Sequence, residues 1–449
     1  MPNEGLIRFR EGLNAERILI TSPQALHELQ VVRTYDFEKP AILRFLMSRV
    51  IGSGLLATEG DDHKFQRRAL TPGFTPKQIR AVYPKLWLKA CEASRVLAKE
   101  ARDLKKNGKP INLNDWASRV TLDSAGVSVM GRDFGAVSDP GNPLIKLYGL
   151  VFAPGASDFN IISMSLPQWI GPYLPLAAKS ELLEGATTIR QFARDLIHTK
   201  RERIANGEEG DHDILEVLLG TELSENQLID QTMTFLTAGY ETTATQLMWT
   251  IYMLSTHPQI QDKLRAEIRE QFATMEDREN MTSEIIEDKM PYLQAVISES
   301  ARYFPAVPGA LRQAVVDTSL LNHPFPKGSV ATVAMGAINR DPKLWGPDVD
   351  EFRPERWLED TDRGTAQYGG ASSKYAYMTF FHGQRRCIGE GFTRAKLASI
   401  LAAWVGHLRF SLHDEEKEGD IGKLTFKRGH VSLQPVTGPF VDVEVVEGW

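Results

Sequence analysis

The run from Glu225 to Ser255 constrains this chain more than any other segment. Ser224-Glu225-Asn226-Gln227 reads as a capping box, with Ser224 as N-cap and Gln227 reaching back to it. After Leu247 the residues LMWTIYML are apolar almost all round, so a helix here has no face to offer water and belongs at the centre of a protein. Such a helix needs other elements around it, and the rest of the pattern supplies mostly helices. The middle, Leu236-Thr237-Ala238-Gly239-Tyr240-Glu241-Thr242-Thr243, is poor helix material. Gly costs about 1 kcal/mol against Ala, and β-branched threonines propagate a helix less well. A weak turn in a buried helix points to a wanted distortion. Thr242 lies four residues after Ala238, so its hydroxyl competes for that carbonyl and opens a groove. A Thr-rich helix packing on its neighbours, with Glu241 at an exposed bend, explains the same residues more plainly.

The second constraint is Phe380-Phe381-His382-Gly383-Gln384-Arg385-Arg386-Cys387-Ile388-Gly389. An aromatic, two glycines, two arginines and a cysteine suit a thiolate held against a large anionic prosthetic group. Arg385 and Arg386 favour thiolate over thiol and offer a carboxylate a partner. Gly383 permits a tight turn, and Gly389 removes a side chain where the backbone passes a flat ring. Phe380 shields the sulfur from water. Ile388–Phe410 has helical periodicity, which places Cys387 just before a helix start, where free N–H groups and the dipole lower a thiol pKa. A lone cysteine is usually an inert buried thiol; the fixed offsets of Gly, Arg, Cys and Gly behind an aromatic argue otherwise.

Phe380-x-x-Gly383-x-Arg385-x-Cys387-x-Gly389 resembles the haem-binding signature of the cytochrome P450 family, and Ala238-Gly239-x-Glu241-Thr242 resembles its oxygen-activation motif. The resemblance runs from about Leu6 to the C-terminus. It implies a mainly α fold, with a large helical lobe, a long central helix over haem and a small β-rich lobe, forming one catalytic domain over residues 1–449. It implies haem b with Cys387 as axial thiolate ligand, Phe380, Gly239 and Gly389 against the haem, and Glu241 and Thr242 delivering protons to O2. The haem propionates need cations, and the matching positions are His63, Arg67, Arg312 and Arg385. Many family members have Trp where His63 stands. Glu299, Arg302 and Arg356 match a buried structural network, in which Trp357 replaces a frequent Phe. Partners implied are a hydrophobic small molecule, O2 and NADPH–cytochrome P450 reductase; Lys64, Arg68, Arg386, Arg394 and Lys396 are candidates for the reductase-facing surface. The implied pocket lining is Ile51–Leu56, Leu147–Phe152, Phe235–Ala238 and Ala306–Ala310, which suits an apolar substrate; the resemblance implies one of fungal secondary metabolism. A haem–thiolate isomerase or dehydratase would keep Cys387 without needing Glu241 and Thr242. A haem-binding protein without catalysis, or a truncated chain, would keep the motifs without turnover.

Composition narrows the rest. In 449 residues, 42% hydrophobic and 24% charged residues describe a globular chain with a large core, not a disordered one. A net charge of −6 gives no basic field for nucleic acid. Cys91 and Cys387, the two cysteines, suggest neither a disulfide framework nor a zinc site. The start, MPNEGLIRFREGLN, is too polar for a signal peptide, and no stretch has the apolar length of a membrane span. The expectation is therefore a chain without the usual N-terminal anchor and first helix, soluble as it stands, where eukaryotic relatives sit at the endoplasmic reticulum surface. Gly52-Ser53-Gly54-Leu55-Leu56-Ala57 matches a dinucleotide pattern but follows a helical run, so nucleotide binding is rejected. Asp61 or Asp62 is read as a helix cap before His63, not as a metal ligand.

Strands are expected at Leu6–Arg10, Arg17–Thr21, Leu311–Val316 and Val330–Ala334. Helices are expected at Pro23–Val31, Lys77–Lys105, Leu113–Met130, Lys179–Ala205, after Pro258 and after Pro291. Ser138–Leu176 reads as loops with short helices, and Lys423–Val445 as a hairpin.

Overall fold

The computed structural model describes residues 5–11, 14–142, 144–145, 180–208, 210, 213–275, 282–362, 364–413, 426 and 431–449. In chain order it opens with strands β1 (Leu6–Arg10) and β2 (Glu16–Ile20), then helix α1 (Pro23–His27), which passes into a wider turn over Glu28–Val32. Strand β3 (Phe37–Glu38) and helices α2 (Ala41–Ile51), α3 (Gly60–Leu70) and α4 (Pro76–Lys105) follow. Then come β4 (Ile111–Asn112), α5 (Leu113–Ala125), α6 (Ser180–Ala205), α7 (Ile214–Leu219) and the central helix α8 (Glu225–Thr256). Helices α9 (Pro258–Gln271), α10 (Ser283–Asp288) and α11 (Pro291–Tyr303) lead to strands β5 (Ala310–Ala314), β6 (Thr318–Leu320), β7 (His323–Phe325) and β8 (Val330–Val333). The chain continues through α12 (Met335–Ile338), α13 (Pro342–Trp345) and α14 (Glu390–His407) to β9 (Leu408–Leu412) and β10 (Phe440–Val445).

Local chemistry sets many of these boundaries. Thr75 caps Gln78 N before Pro76 opens α4, and Asn112 caps α5 through the N–H groups of Asn114 and Asp115. Pro258 and Pro291 each begin a helix at the first position, where a missing N–H costs nothing. The capping box of α8 forms in full: Gln227 N donates to Ser224 Oγ at 3.4 Å, and Ser224 N donates to Gln227 Oε1 at 2.9 Å.

One sheet has the order β1-β2-β8-β5-β3, with β8 parallel to β2 and antiparallel to β5. Arg312 pairs with Ala331 in its middle. A second sheet, β4-β10-β9, closes the helical body. The larger core joins α4, α5, α8 and α14 around the fully buried Trp87, Trp116, Trp249 and Trp404. A smaller core lies beneath the five-stranded sheet around Trp345 and Phe37. This is the mainly helical body with a small β region that the sequence implied.

Several expectations are corrected. The segment from Gly126 to Met130 leaves α5 as a wide π turn. Asp61 and Asp62 do not cap α3; Glu59 stands at the N-cap without a side-chain bond there, and Asp61 pairs with Lys64 at 2.8 Å instead. In the tail, β10 pairs with β9 and β4, and within the expected hairpin Phe426 forms an isolated antiparallel bridge with Pro435. Residues 414–425 and 427–430 of that tail, most of the expected loops over 138–176, and Leu147–Phe152 lie outside the described residues. Among the described residues no helix is long and apolar enough to cross a membrane.

Candidate functional site

The loop before α14 is locked from two sides. Cys387 N donates to the Phe380 carbonyl at 2.8 Å, and Arg67 Nη1 on α3 donates to the Arg386 carbonyl at 2.7 Å. Gly383 has φ +68°, and a Cβ there would overlap the Gln30 carbonyl oxygen, so only glycine fits. Gly389 is the N-cap of α14, placing Cys387 just ahead of the helix as expected. A Cβ on Gly389 would meet only Cys387 Sγ, at 4.0 Å, so this glycine faces open space rather than protein. Cys387 is itself exposed. Dense protein nevertheless surrounds it, and that burial pushes the thiol pKa up, outweighing the Gly389 N–H and the cations of Arg67 and Arg386. Exposure and desolvation coexist where a side chain borders an internal hollow. The expected lowering of the thiol pKa is thus overturned for the side chains alone.

Arg385 points the other way. Its guanidinium meets the buried Glu59 carboxylate, donates from Nη2 to the Phe37 carbonyl at 3.2 Å and lies over the Tyr35 ring at 5.1 Å. Lys39 Nζ also reaches Glu59, at 2.9 Å, and burial lowers its pKa to about 8. Arg312 lies over the Phe381 ring at 5.3 Å and donates to its neighbour's carbonyl, that of Leu311, at 2.9 Å. Burial and then Arg385 push its pKa down to about 10. His63 is buried, 3.4 Å from Tyr35 Oη through Nδ1, and burial followed by Arg385 and Lys39 lowers its pKa to about 4, which keeps the imidazole neutral. His63, Arg312 and Arg385 therefore share one neighbourhood, and Arg67, whose charge also acts on His63, joins it to the cysteine loop. Sequence reasoning missed Lys39 and Glu59. The spacing of neither residue signals its role, because the contact is made only when β3 and the start of α3 meet.

On the opposite side, α8 is buried at every position from Leu228 to Leu254 except Ala238, Gly239 and Thr242. These three share one face at the i, i+1, i+4 spacing, so the interruption is a patch and not fraying. Thr242 Oγ1 donates to the Ala238 carbonyl at 2.7 Å, as expected, and Thr243 Oγ1 donates to the Gly239 carbonyl at 2.9 Å. The helix continues unbroken through this turn. Glu241 is not at an exposed bend. It is buried, accepts from Ser432 Oγ and from Gln434 Nε2 (3.4 Å), and points away from Thr242, since neighbours on a helix differ by about 100°. Ser432 and Gln434 had no local signal in the sequence.

Lys396 is also corrected. It is 2% exposed and lies in the interior, so it cannot contribute to a docking surface. Of the other candidates, Lys64 pairs with Asp61, and Arg386 and Arg394 both pair with Glu390.

Comparison with known proteins decides the family. The sequence profile described as Cytochrome P450 matches residues 11–436. The chain belongs to the cytochrome P450 family. It is 36% identical to the cytochrome P450 monooxygenase sphH of Aspergillus fumigatus, over 100% of this chain and 82% of the relative. It is 37% identical to the cytochrome P450 monooxygenase buaD of Petromyces alliaceus, over 99% and 83% of the two chains. A third relative, the cytochrome P450 monooxygenase ptmK of Penicillium ochrochloron, is 36% identical over 90% and 80%. This is the fungal type of cytochrome P450, an oxidoreductase family that uses haem bound through a cysteine thiolate, O2, a hydrophobic substrate and a reductase.

The residues fit that cofactor. A cytochrome P450 needs a sulfur open to a hollow, room for a flat ring and positive charge for two propionates. Cys387 and Gly389 meet the first two requirements. In the cation cluster Lys39, Arg312 and Arg385 face one carboxylate, Glu59, leaving positive charge in excess. A metal cation also supplies what the side chains do not, since coordination deprotonates a thiol outright. The dinucleotide-like Gly52–Ala57 turn carries no such fit: Asp230 accepts from Ser53 N at 2.8 Å, where a phosphate would have to bind. Among the described residues no cluster of His, Cys, Asp or Glu resembles a metal site.

The structural network forms as expected. Arg302 reaches both oxygens of Glu299, at 2.8 and 2.9 Å, and Arg356 Nε reaches Oε1 at 2.9 Å. Trp357, the departure from Phe, donates its indole N–H to Glu299 at 2.9 Å and so completes the carboxylate's shell.

Proposed function

We propose that this chain inserts one atom of O2 into an apolar small molecule of fungal secondary metabolism, by hydroxylation or epoxidation, with the other atom leaving as water. The observation that carries this reading is the half-open face of Ala238, Gly239 and Thr242 in a helix otherwise buried throughout. An isomerase or dehydratase has no use for a hydroxyl there.

Haem bound by a thiolate supplies the electron donation that favours O–O cleavage. The chain's own residues do the remaining work. Cys387 Sγ would hold the iron, the Phe380 ring would screen the sulfur, and Gly389 would leave space for the ring. His63, Arg312 and Arg385, joined by Lys39, take the propionates. Arg67 fixes the loop by holding the Arg386 carbonyl. Gly239 would add no side chain to the half-open face of the central helix. Thr242 Oγ1 donates to Ala238 and keeps its lone pairs available, so it can accept a hydrogen bond from a water on the open face and hold that water in place for proton delivery. Glu241 collects protons beside Ser432 and Gln434 and delivers them by swinging toward Thr242. Ile51–Leu56, Phe235–Ala238 and Ala306–Ala310 exclude water and orient an apolar substrate. Electrons come from NADPH through a separate reductase, and residues 1–449 act as one catalytic unit.

The test is a reduced, CO-bound absorption spectrum, followed by NADPH consumption with a reductase over a panel of hydrophobic substrates. The expected result is the thiolate-type Soret band and O2-dependent product, both lost in Cys387→Ser. A band typical of imidazole-ligated haem, or turnover surviving in Cys387→Ser, overturns the reading.

A further inference from the structure

Lys396 is a buried cation with no carboxylate partner among the described residues. It lies on α14, nine residues beyond Cys387, and its Nζ donates to the Gly239 carbonyl of α8 at 3.0 Å. The same carbonyl accepts from Thr243 Oγ1 at 2.9 Å, while the preceding carbonyl, Ala238, accepts from Thr242. Two successive carbonyls in the weak turn thus take side-chain donors, and one of these donors comes from the helix that follows the cysteine loop. Burial lowers the Lys396 pKa to about 8, while the Cys387 sulfur acts in the opposite direction.

Burying an ammonium is expensive, and a Met of similar length would fill the space at less cost. Packing alone therefore does not call for lysine. A charge-assisted hydrogen bond to a carbonyl does. The bond ties the Gly239 carbonyl to α14 in the turn that carries Thr242. A Cβ on Gly239 would stand 3.6 Å from Nζ, ordinary van der Waals contact, so the ammonium lies directly against this turn.

We propose that Lys396 is a positioning residue of the oxygen site, its ammonium holding the Gly239 carbonyl so that Thr242 keeps its place on the open face of the central helix. This rests on the monooxygenase reading above. The test compares wild type, Lys396→Met and Lys396→Arg. Met keeps the length and removes the donor; Arg keeps both charge and donor. Two readouts do not depend on turnover: amide hydrogen exchange of residues 238–243 in the metal-free chain, and the infrared CO stretch of the reduced, CO-bound protein. The third is peroxide released per NADPH consumed.

In Lys396→Met we expect exchange at 238–243 and peroxide release to rise roughly tenfold, the weight of one hydrogen bond to a charged group, with a displaced or split CO stretch. Lys396→Arg should return all three toward wild type. Met values equal to wild type in exchange and CO stretch overturn the proposal, because a residue that only fills space is replaced by Met without effect. Should Met not take up haem, exchange on the metal-free chains decides: protection at 238–243 that is retained in Met overturns the bond, and protection lost in Met but kept in Arg supports it. A wild-type protein lacking the thiolate band defeats the monooxygenase reading instead, and leaves the exchange comparison to judge Lys396 separately.

Discussion

At the scale of single residues, the site depends on side chains whose environment changes their usual chemistry. Thr242 is the clearest case. Thr242→Ala should leave haem binding intact, slow product formation about tenfold or more and divert electrons to peroxide, since general acid–base groups contribute about 10²–10⁴-fold. Unchanged product per NADPH would remove Thr242 from the proton route. His63 carries a pH prediction. Its ordinary value of 6.5 is lowered to about 4, by burial first and then by Arg385 and Lys39. The folded protein refuses a proton that the unfolded chain accepts below pH 6.5. The stability due to neutral His63 is therefore complete above pH 6.5 and is lost as pH falls toward 4. Urea unfolding of the metal-free chain between pH 7 and 5 should show a steeper loss in wild type than in His63→Gln. Parallel slopes would contradict the assignment of the neutral state.

At the scale of elements, the cysteine loop and the central helix make separate demands. Gly383→Ala forces a positive φ on a residue with a Cβ and drives that Cβ into the Gln30 carbonyl. A strained backbone position costs about 1–3 kcal/mol, and the displaced loop should also lose haem. Haem content and unfolding midpoint measure the two effects independently; a variant with full haem content would mean that the loop can shift without consequence. Ser224→Ala removes the capping box at the other end of the argument and should cost only about 1 kcal/mol, without altering the spectrum. Elements were the most legible level in the sequence. Helix starts at Pro76, Pro258 and Pro291 could be read because capping and proline chemistry are local. The same holds for Cys387, Gly383, Ala238 and Thr242, whose meaning lies in fixed spacing. Glu59, Lys39, Lys396, Ser432 and Gln434 were illegible or misread for the opposite reason. Each acquires its role from a partner on another element, and a lone Lys or Ser in a sequence looks like solvated surface. The pKa of Cys387 was misjudged in the same way, because the number of nearby cations is visible in sequence and the depth of burial is not.

At the scale of the whole molecule, one carboxylate joins distant parts. Glu299 on α11 receives Arg302 from its own helix and Arg356, Trp357 and the Arg353 backbone N–H from the segment leading to the cysteine loop. Both arginines are essentially fully buried. Glu299→Ala should strip the buried Arg302 of its carboxylate, leave Arg356 with Asp348 at 3.3 Å, and lower stability by about 3–5 kcal/mol. Calorimetry of the expressed variant, or its absence from the soluble fraction, reads this directly. An unfolding temperature equal to wild type would show that the network is dispensable.

The same long reach governs the order in which the molecule can be completed. Glu241 meets Ser432 191 positions further along, and Arg67 meets the Arg386 carbonyl after 319. A ribosome releases the apolar middle of the chain long before it delivers the residues that roof it over. Pigment loading must accordingly be a late event, following emergence of the last wall of the chamber, and the nascent chain carries a greasy, unsealed interior that invites chaperones until then.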